Sequence, residues 1–136
     1  MNKITIVVLV SFLMGCAPIP HAAKIVPEIN GHILLNGVPA VGAEVIQCIS
    51  HDGNKCTKNR SVKTDEKGRF KLKARREFRW YVTLLGDEMF AYGFRVKYNG
   101  VSYTGCSGTD LGVLENVPNI TYELTSKQEC NLSHGW

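Results

Sequence analysis

The sequence predicts an all-β fold, an antiparallel β-sandwich whose strands have one buried and one solvent-exposed side. Segments in which apolar residues recur at every second position run along the chain, as in INGHILL and ITYEL. Turn signals such as Asn99-Gly100 and Asp65-Glu66-Lys67-Gly68 separate these segments. With 136 residues, 44% of them hydrophobic and 21% charged, the chain has the size and composition of one globular domain.

The N-terminus has the features of a secretory signal peptide over residues 1–15. Lys3 precedes an apolar run, Ile4 to Met14, that is too short to span a bilayer. Leu13-Met14-Gly15-Cys16 resembles the bacterial lipobox, in which the Cys is acylated on sulfur and becomes the N-terminus after cleavage. We therefore expect a lipoprotein held in the membrane by lipid on Cys16. The alternative is a secreted protein whose Cys16 carries no lipid.

Residues 16–28 are expected to be the lipidated Cys and a short extended tether, because three prolines interrupt the segment and no periodicity is present. The sandwich domain is expected over residues 29–136. In Gram-negative lipoproteins an Asp after the Cys favours the inner membrane. Here the residue is Ala17, so the resemblance implies the outer membrane, facing the periplasm.

Loss of residues 1–15 removes Lys3 and leaves 15 basic and 12 acidic residues, a formal charge of 15 − 12 = +3. The mature chain is therefore mildly basic. Nucleic acid is excluded as a partner, because the lipobox assigns the chain to a compartment that lacks it. The partners expected are the membrane, through the N-terminal lipid, and an envelope or toxin protein.

The stretch from Ile29 to Phe70 predicts the scaffold. Two alternating segments, 29–35 and 43–49, flank a turn around Pro39 and are expected to pair as antiparallel strands. Residues 57–64 are polar and predict an edge strand. The NG-x-P-x-x-GA-x-V turn and the TDEKGRF turn, with a variable hairpin between them, resemble the carboxypeptidase-regulatory-like modules of the prealbumin (transthyretin-like) fold. The resemblance implies seven or eight strands and a module that binds or displays rather than catalyses.

Four cysteines remain after Cys16, an even set that predicts two disulfides in an oxidising compartment. Three pairings are possible. We expect Cys48 to pair with Cys56, because the segment between them resembles a hairpin loop, and Cys106 to pair with Cys130 by elimination. No interval between these cysteines has the C-x-x-C spacing of a metal site, and no two histidines are placed to form one. We expect neither metal nor cofactor.

The densest basic run lies between the TDEKGRF turn and the next strand. Its candidate binding residues are Arg69, Lys71, Lys73, Arg75, Arg76 and Arg79. They can be a solvated strand face whose charges discourage edge-to-edge pairing, or a patch for anionic lipid headgroups or an acidic protein. Glu77 is the one acid counted beside these cations in sequence, so an uncompensated cationic surface is expected.

Three later segments complete the predicted strands. Residues 78–85 predict a strand with Trp80, Val82 and Leu84 in the core. Asn99-Gly100 is the dipeptide of a type I′ hairpin. A two-residue loop at this dipeptide sets Phe94 opposite Gly105. The same register directs four side chains toward the core, those of Val96, Tyr98, Val101 and Tyr103. Residues 120–124 alternate as a last strand, followed by a polar tail held by Cys130.

The sequence lacks a convincing catalytic arrangement. Gly105-Cys106-Ser107-Gly108 does not have the G-x-S-x-G spacing of a nucleophile turn. The hydroxyisourate hydrolases of the prealbumin fold end in a Tyr-Arg-Gly-Ser-like tail, whereas this chain ends in LSHGW. We therefore expect a non-enzymatic binding or structural module for another envelope protein. The alternatives are an immunity or inhibitor lipoprotein against a toxin acting in the periplasm, and a hydroxyisourate-hydrolase-like enzyme.

Overall fold

A computed structural model describes residues 2–13, 16–17, 19–49, 55–83, 89–112, 114–124, 130 and 132. These residues form one helix, α1 (Lys3–Leu13), and thirteen strands. The strands are β1 (Cys16–Ala17), β2 (His21–Val26), β3 (Ile29–Leu35), β4 (Val38–Pro39), β5 (Glu44–Ile49), β6 (Cys56–Lys63), β7 (Arg69–Leu72), β8 (Arg75–Arg79), β9 (Val82–Thr83), β10 (Met89–Tyr98), β11 (Val101–Tyr103), β12 (Ser107–Leu111) and β13 (Val117–Glu123). Within these ranges, no helix combines the length and the apolar character that crossing a membrane requires.

Two sheets packed together form an all-β sandwich, which confirms the predicted fold class. The five-stranded sheet has the order β11-β10-β5-β6, and β12 also pairs with β10. The four-stranded sheet has the order β13-β3-β4, and β7 also pairs with β3. In the described part of the chain the pairings are antiparallel, except that β13 runs parallel to β3.

The two alternating segments of the scaffold are strands, but they lie in opposite sheets and do not form the expected hairpin. β3 turns back at Asn36-Gly37 and pairs briefly with β4. The chain then crosses to the other sheet at Gly42, whose φ is 73°. Alternation cannot distinguish a strand that pairs with its predecessor from one that packs against it, because each buries one side. The predicted strands are therefore confirmed and their predicted pairing is wrong.

The core between the sheets contains three aromatic rings in contact. The centroid of the Phe94 ring in β10 lies 5.2 Å from that of Phe70 and 5.9 Å from that of Tyr122, both of the other sheet. The Tyr122 hydroxyl donates a hydrogen bond to the Thr104 carbonyl, and burial raises the pKa of Tyr122. The ring contacts therefore join the two sheets while the polar end of Tyr122 keeps a partner.

The turn at Asp65 forms as its sequence predicts. One carboxylate oxygen of Asp65 accepts the backbone N–H groups of Lys67 and Arg69, each at 2.9 Å. Gly68 has φ 71° and donates its N–H to the Asp65 carbonyl at 2.9 Å. The turn leads into β7, in which Phe70 is buried and its neighbours are exposed. β6, the predicted polar strand, lies at the edge of its sheet as expected.

The Asn99-Gly100 turn joins β10 to β11, with φ 50° and 77° at its two residues. The predicted register holds for the pairs nearest the turn and then shifts by one residue, so that Gly93 faces Ser107. The predicted pairing of Phe94 with Gly105 therefore does not form. Val101 is 51% exposed and is not a core residue, because strand parity buries a residue only where the opposite sheet extends over it.

Residues 16–28, which were expected to be an extended tether, contain two paired strands. β2 pairs with β8 and β1 pairs with β9, so residues 16–17 and 21–26 run antiparallel to residues 82–83 and 75–79. We call these four strands the N-terminal ribbon. Ile25 and Val26 are buried in the core. β2, which lies between Pro20 and Pro27, therefore adds packed residues before Ile29, where the sandwich domain was expected to begin.

Both expected disulfides are present, Cys48 with Cys56 and Cys106 with Cys130. The first joins opposite residues of β5 and β6. The tail is held by more than Cys130, because Leu132 is buried and donates its N–H to the Ser107 carbonyl at 3.0 Å.

Candidate binding surfaces

The predicted basic run is divided between two places in the fold. Arg69 and Lys71 belong to β7, which pairs with β3 in the four-stranded sheet, and Lys73 follows β7 directly. The other three cations, Arg75, Arg76 and Arg79, belong to β8. This strand pairs with β2 in the N-terminal ribbon. The run is therefore not one continuous face. Its two halves form separate surfaces with different neighbours.

Two cations of the β7 half are in ion pairs. Arg69 Nε lies 2.9 Å from Asp65 Oδ2, and Lys71 Nζ lies 2.9 Å from Glu28 Oε1. These two acids were missing from the sequence-based count, which included only Glu77. Glu28 is far from Lys71 in sequence and reaches it because β3 and β7 pair side by side. The expectation of a wholly uncompensated basic face is therefore wrong.

Both partner carboxylates respond to these contacts. The backbone N–H of Arg69 holds the pKa of Asp65 below its ordinary value of 3.8, with further contributions from the Arg69 side chain and the Lys67 N–H. The Lys71 ammonium and the Asn30 amide lower the pKa of Glu28 from its ordinary value of 4.5. Both pairs are solvent-exposed, so each contributes little to stability and both acids remain charged at neutral pH.

The β7 cations are joined by cations from β6, which packs beside β7 where the edges of the two sheets meet. We call this surface the cationic corner. All six of its cations are exposed: Lys58, Arg60, Lys63, Arg69, Lys71 and Lys73. Apart from the pairs of Arg69 and Lys71, these cations form no ion pair with the part of the chain that the structure describes. Sequence reasoning did not count the β6 cations, although β6 and β7 are consecutive strands connected through the Asp65 turn.

The edge of β6 is irregular. Its register with β5 shifts between the Ile46–Ser61 and Cys48–Cys56 pairs, so residues 57–60 have no regular partners across the strand. Lys58 and Arg60 lie in this irregular segment. Bulges and charges at a sheet edge both oppose the addition of another strand. Contacts at the cationic corner are thus expected to use side chains more than backbone groups.

The β8 cations have different surroundings. Arg75 Nη2 lies 3.3 Å from Glu77 Oε1. The guanidinium carbon of Arg79 lies 5.7 Å from the centre of the Phe90 ring, within the range of a cation–π contact. Arg76 is exposed and has no ion pair within the described residues. The ribbon therefore holds two of its arginines in place and presents the third to solvent.

Trp80 is not in the core as predicted; it is 71% exposed and lies beside Phe78, which is 62% exposed. The two rings meet edge to face with centroids 5.1 Å apart. Val82 lies in β9 and is half-buried, and the predicted core position at Leu84 lies outside the described residues. The prediction failed for Trp80, because this residue directly follows β8, and among the described strands β8 pairs with β2 alone in a sheet whose side at Phe78 is open to solvent.

Metal-ligating and nucleophilic side chains are the other candidates for a functional site. Within the described ranges, no group of three or more His, Cys, Asp or Glu side chains has the spacing to hold a metal ion. His32 is exposed, and Cys106 of the Gly105-Cys106-Ser107-Gly108 segment is in a disulfide. The Tyr92 hydroxyl donates to the Asp110 carboxylate, and burial together with this acid raises the pKa of Tyr92. Tyr92 is therefore neutral at physiological pH.

The comparison with known proteins gives one family. The family model described as "Domain of unknown function (DUF6795)" matches residues 29–133, which is most of the chain. No curated protein matches the sequence.

Proposed function

We propose that this chain, which belongs to the DUF6795 family, is a lipid-anchored envelope lipoprotein that binds another envelope protein without catalysis. The lipobox-like segment from Leu13 to Cys16 supports the anchor, with the mature chain held at the outer membrane and facing the periplasm. The cationic corner supports the binding role. The partner surface that fits it is acidic.

The observation that carries the proposal is the charge excess of the cationic corner. Six exposed cations come from the adjoining edges of both sheets, and two of them are in ion pairs with acids of the same chain. A surface with one sign of charge accelerates association with a surface of opposite sign and orients the two partners. This interaction weakens as salt is added, because the charges are exposed and are screened over about 8 Å at physiological ionic strength.

The geometry also favours one mode of recognition. The bulge and the cations of β6 oppose pairing with a strand of the partner, so the partner is expected to present carboxylates to Lys58, Arg60 and Lys73. Arg69 and Lys71 are already engaged by Asp65 and Glu28. Changing these two residues would disturb internal contacts as well as the surface, and they are less suitable for a test.

The test uses the full-length lipoprotein extracted from membranes and immobilised to capture envelope proteins. We expect the triple variant Lys58→Glu, Arg60→Glu, Lys73→Glu to reduce capture of the main partner at least about tenfold at low salt, since surface charges act mainly on association. Raising the salt should reduce capture by the native protein. Lys73→Glu and Lys97→Glu make the same charge change at exposed positions, and only Lys73→Glu should weaken capture.

Equal capture by the native protein and the triple variant at both salt concentrations would overturn the binding role of the cationic corner. Circular dichroism of the triple variant controls for folding. The identity of the captured protein separates the two envelope roles. A structural envelope protein supports the binding module, whereas a toxin acting in the periplasm supports the immunity role.

A further inference from the structure

The N-terminal ribbon exposes an apolar surface that the cationic corner does not include. We call it the aromatic patch, and it consists of Phe78, Trp80 and Tyr81, which are 62%, 71% and 54% exposed. Soluble proteins seldom expose neighbouring large aromatic side chains without a partner. The edge-to-face contact of Phe78 with Trp80 shows that these two rings form one surface, and Tyr81 follows Trp80 directly in the chain.

A cation accompanies these rings on the same side of the ribbon. Arg76 and Phe78 are two residues apart in β8, so their side chains project to the same side of the strand. Their neighbours on β2 are Lys24 and Ala22. The Lys24 ammonium donates to the Leu114 carbonyl at 2.9 Å, whereas Arg76 forms no ion pair among the residues described. The open side of the ribbon therefore combines aromatic rings with an exposed guanidinium.

The register of the ribbon places this surface beside the proposed lipid attachment. Cys16 lies opposite Thr83, and Ala17 lies opposite Val82. Trp80 is three residues before Thr83, a separation of about 10 Å at the rise of an extended chain. The polar layer of a bilayer is roughly 5–8 Å thick on each side of the hydrocarbon. A lipid on Cys16 would consequently bring Trp80 and Tyr81 to the depth of the headgroups.

We propose that the aromatic patch and Arg76 enter the headgroup layer of the same membrane that holds the lipid on Cys16. This second contact rests on the proposed lipid anchor and goes beyond it, because it fixes the orientation of the sandwich. Trp and Tyr favour the membrane interface, where an apolar ring and a polar group are both accommodated. Arg76 would pair with lipid phosphates. The occupant is a bilayer rather than a protein, because β1 holds the anchoring residue in the ribbon itself.

The proposed orientation makes the far end of β10 a useful control. Phe90 near one end of β10 contacts Arg79 of the ribbon, and Asn99-Gly100 turns the chain at the other end. Nine residue steps separate Phe90 from Asn99, about 30 Å at the rise of an antiparallel strand. Val101, which is exposed beside that turn, should therefore remain in water.

The test uses the full-length lipidated protein in vesicles of phosphatidylethanolamine and phosphatidylglycerol. The chain has two tryptophans, Trp80 and Trp136, so Trp136→Phe leaves Trp80 as the single tryptophan, which can be excited selectively at the red edge of protein absorption. The matched control carries Trp80→Phe, Trp136→Phe and Val101→Trp. We expect lipids brominated near the headgroup to reduce Trp80 emission at least about twofold and to leave the control nearly unchanged, because interfacial tryptophans lie at this depth.

Intact mass measured on the same preparation separates the two proposals. If Cys16 carries lipid and Trp80 is quenched no more than the control, the membrane contact of the aromatic patch is overturned and the anchor stands. If Cys16 carries no lipid, both are overturned. Strong quenching of Trp80 and of the control together would also contradict a fixed orientation, because it would mean that the sandwich has no preferred side toward the membrane.

Discussion

Phe70 and Phe94 belong to opposite sheets, and their ring centroids lie 5.2 Å apart. The same Phe94 ring also meets Tyr122 edge to face. Phe94 is buried and therefore links β7, β10 and β13 through one side chain. Core aromatic residues of this kind contribute large apolar areas and specific ring contacts to the cohesion of a sandwich.

We expect Phe94→Ala to lower the free energy of unfolding by about 3–5 kcal/mol, because it removes a buried ring and leaves a cavity between the sheets. Phe78→Ala is the matched control, since it removes the same side chain from an exposed position. The control should change stability by less than about 1 kcal/mol. Urea denaturation followed by circular dichroism measures both. Similar losses in the two variants would contradict the assignment of Phe94 to the core.

The glycine of the Asp65 turn gives a second test of the fold. Gly68 has φ 71°, and a Cβ added to it would lie 2.6 Å from the Ile33 carbonyl oxygen. Gly37 has a similar φ of 74° but nothing within 4 Å of an added Cβ. We therefore expect Gly68→Ala to destabilise the protein by at least about 1 kcal/mol more than Gly37→Ala, because only the former adds a backbone clash to the strain of positive φ. Equal unfolding midpoints would show that the turn does not pack against β3 as described.

Acid should weaken the Asp65 turn. The folded protein holds the pKa of Asp65 below 3.8, so folding is favoured by the ionised carboxylate. This stabilisation is fully present above the unfolded pKa and is lost as pH falls through the lower folded pKa. We expect Asp65→Asn to destabilise the protein at neutral pH and to reduce the further loss on acidification from about pH 5 to about pH 2.

Glu66→Gln is the control for this pH dependence, because it removes the same charge from an exposed position in the same turn. Denaturation midpoints of the two variants should differ most at neutral pH and converge toward about pH 2, where Asp65 of the Glu66→Gln protein becomes protonated and its contribution is lost. If Asp65→Asn retains the full pH dependence of the native protein, other carboxylates account for the acid response.

Sequence reasoning predicted those parts of the fold that local chemistry determines. The φ requirements of Asn99-Gly100 set the hairpin register, and the side-chain acceptor of Asp65 set the second turn. The spacing of Cys48 and Cys56 identified opposite residues of a hairpin. Each of these features depends on residues within ten positions of one another.

The features that sequence reasoning missed depend on long-range packing. The alternation of apolar residues could not show that Trp80 lies in the N-terminal ribbon, where one side is open to solvent. The strand β2, which pairs with β8 there, comes from the segment expected to be a tether. Likewise, Glu28 neutralises Lys71 only after β3 and β7 pair. The candidate binding surface changed for this reason. Its cations were visible in the sequence, but their partners and their division between two surfaces were not.

Lipid attachment at Cys16 is tested most directly by the intact mass of the mature protein extracted from membranes, compared with Cys16→Ser. We expect a native chain that begins at Cys16 and carries the mass of its acyl groups, and an unprocessed Cys16→Ser precursor that does not enter the detergent phase. A native protein without added lipid mass, or a Cys16→Ser variant that is cleaved and held in the membrane like the native chain, would contradict the lipoprotein assignment.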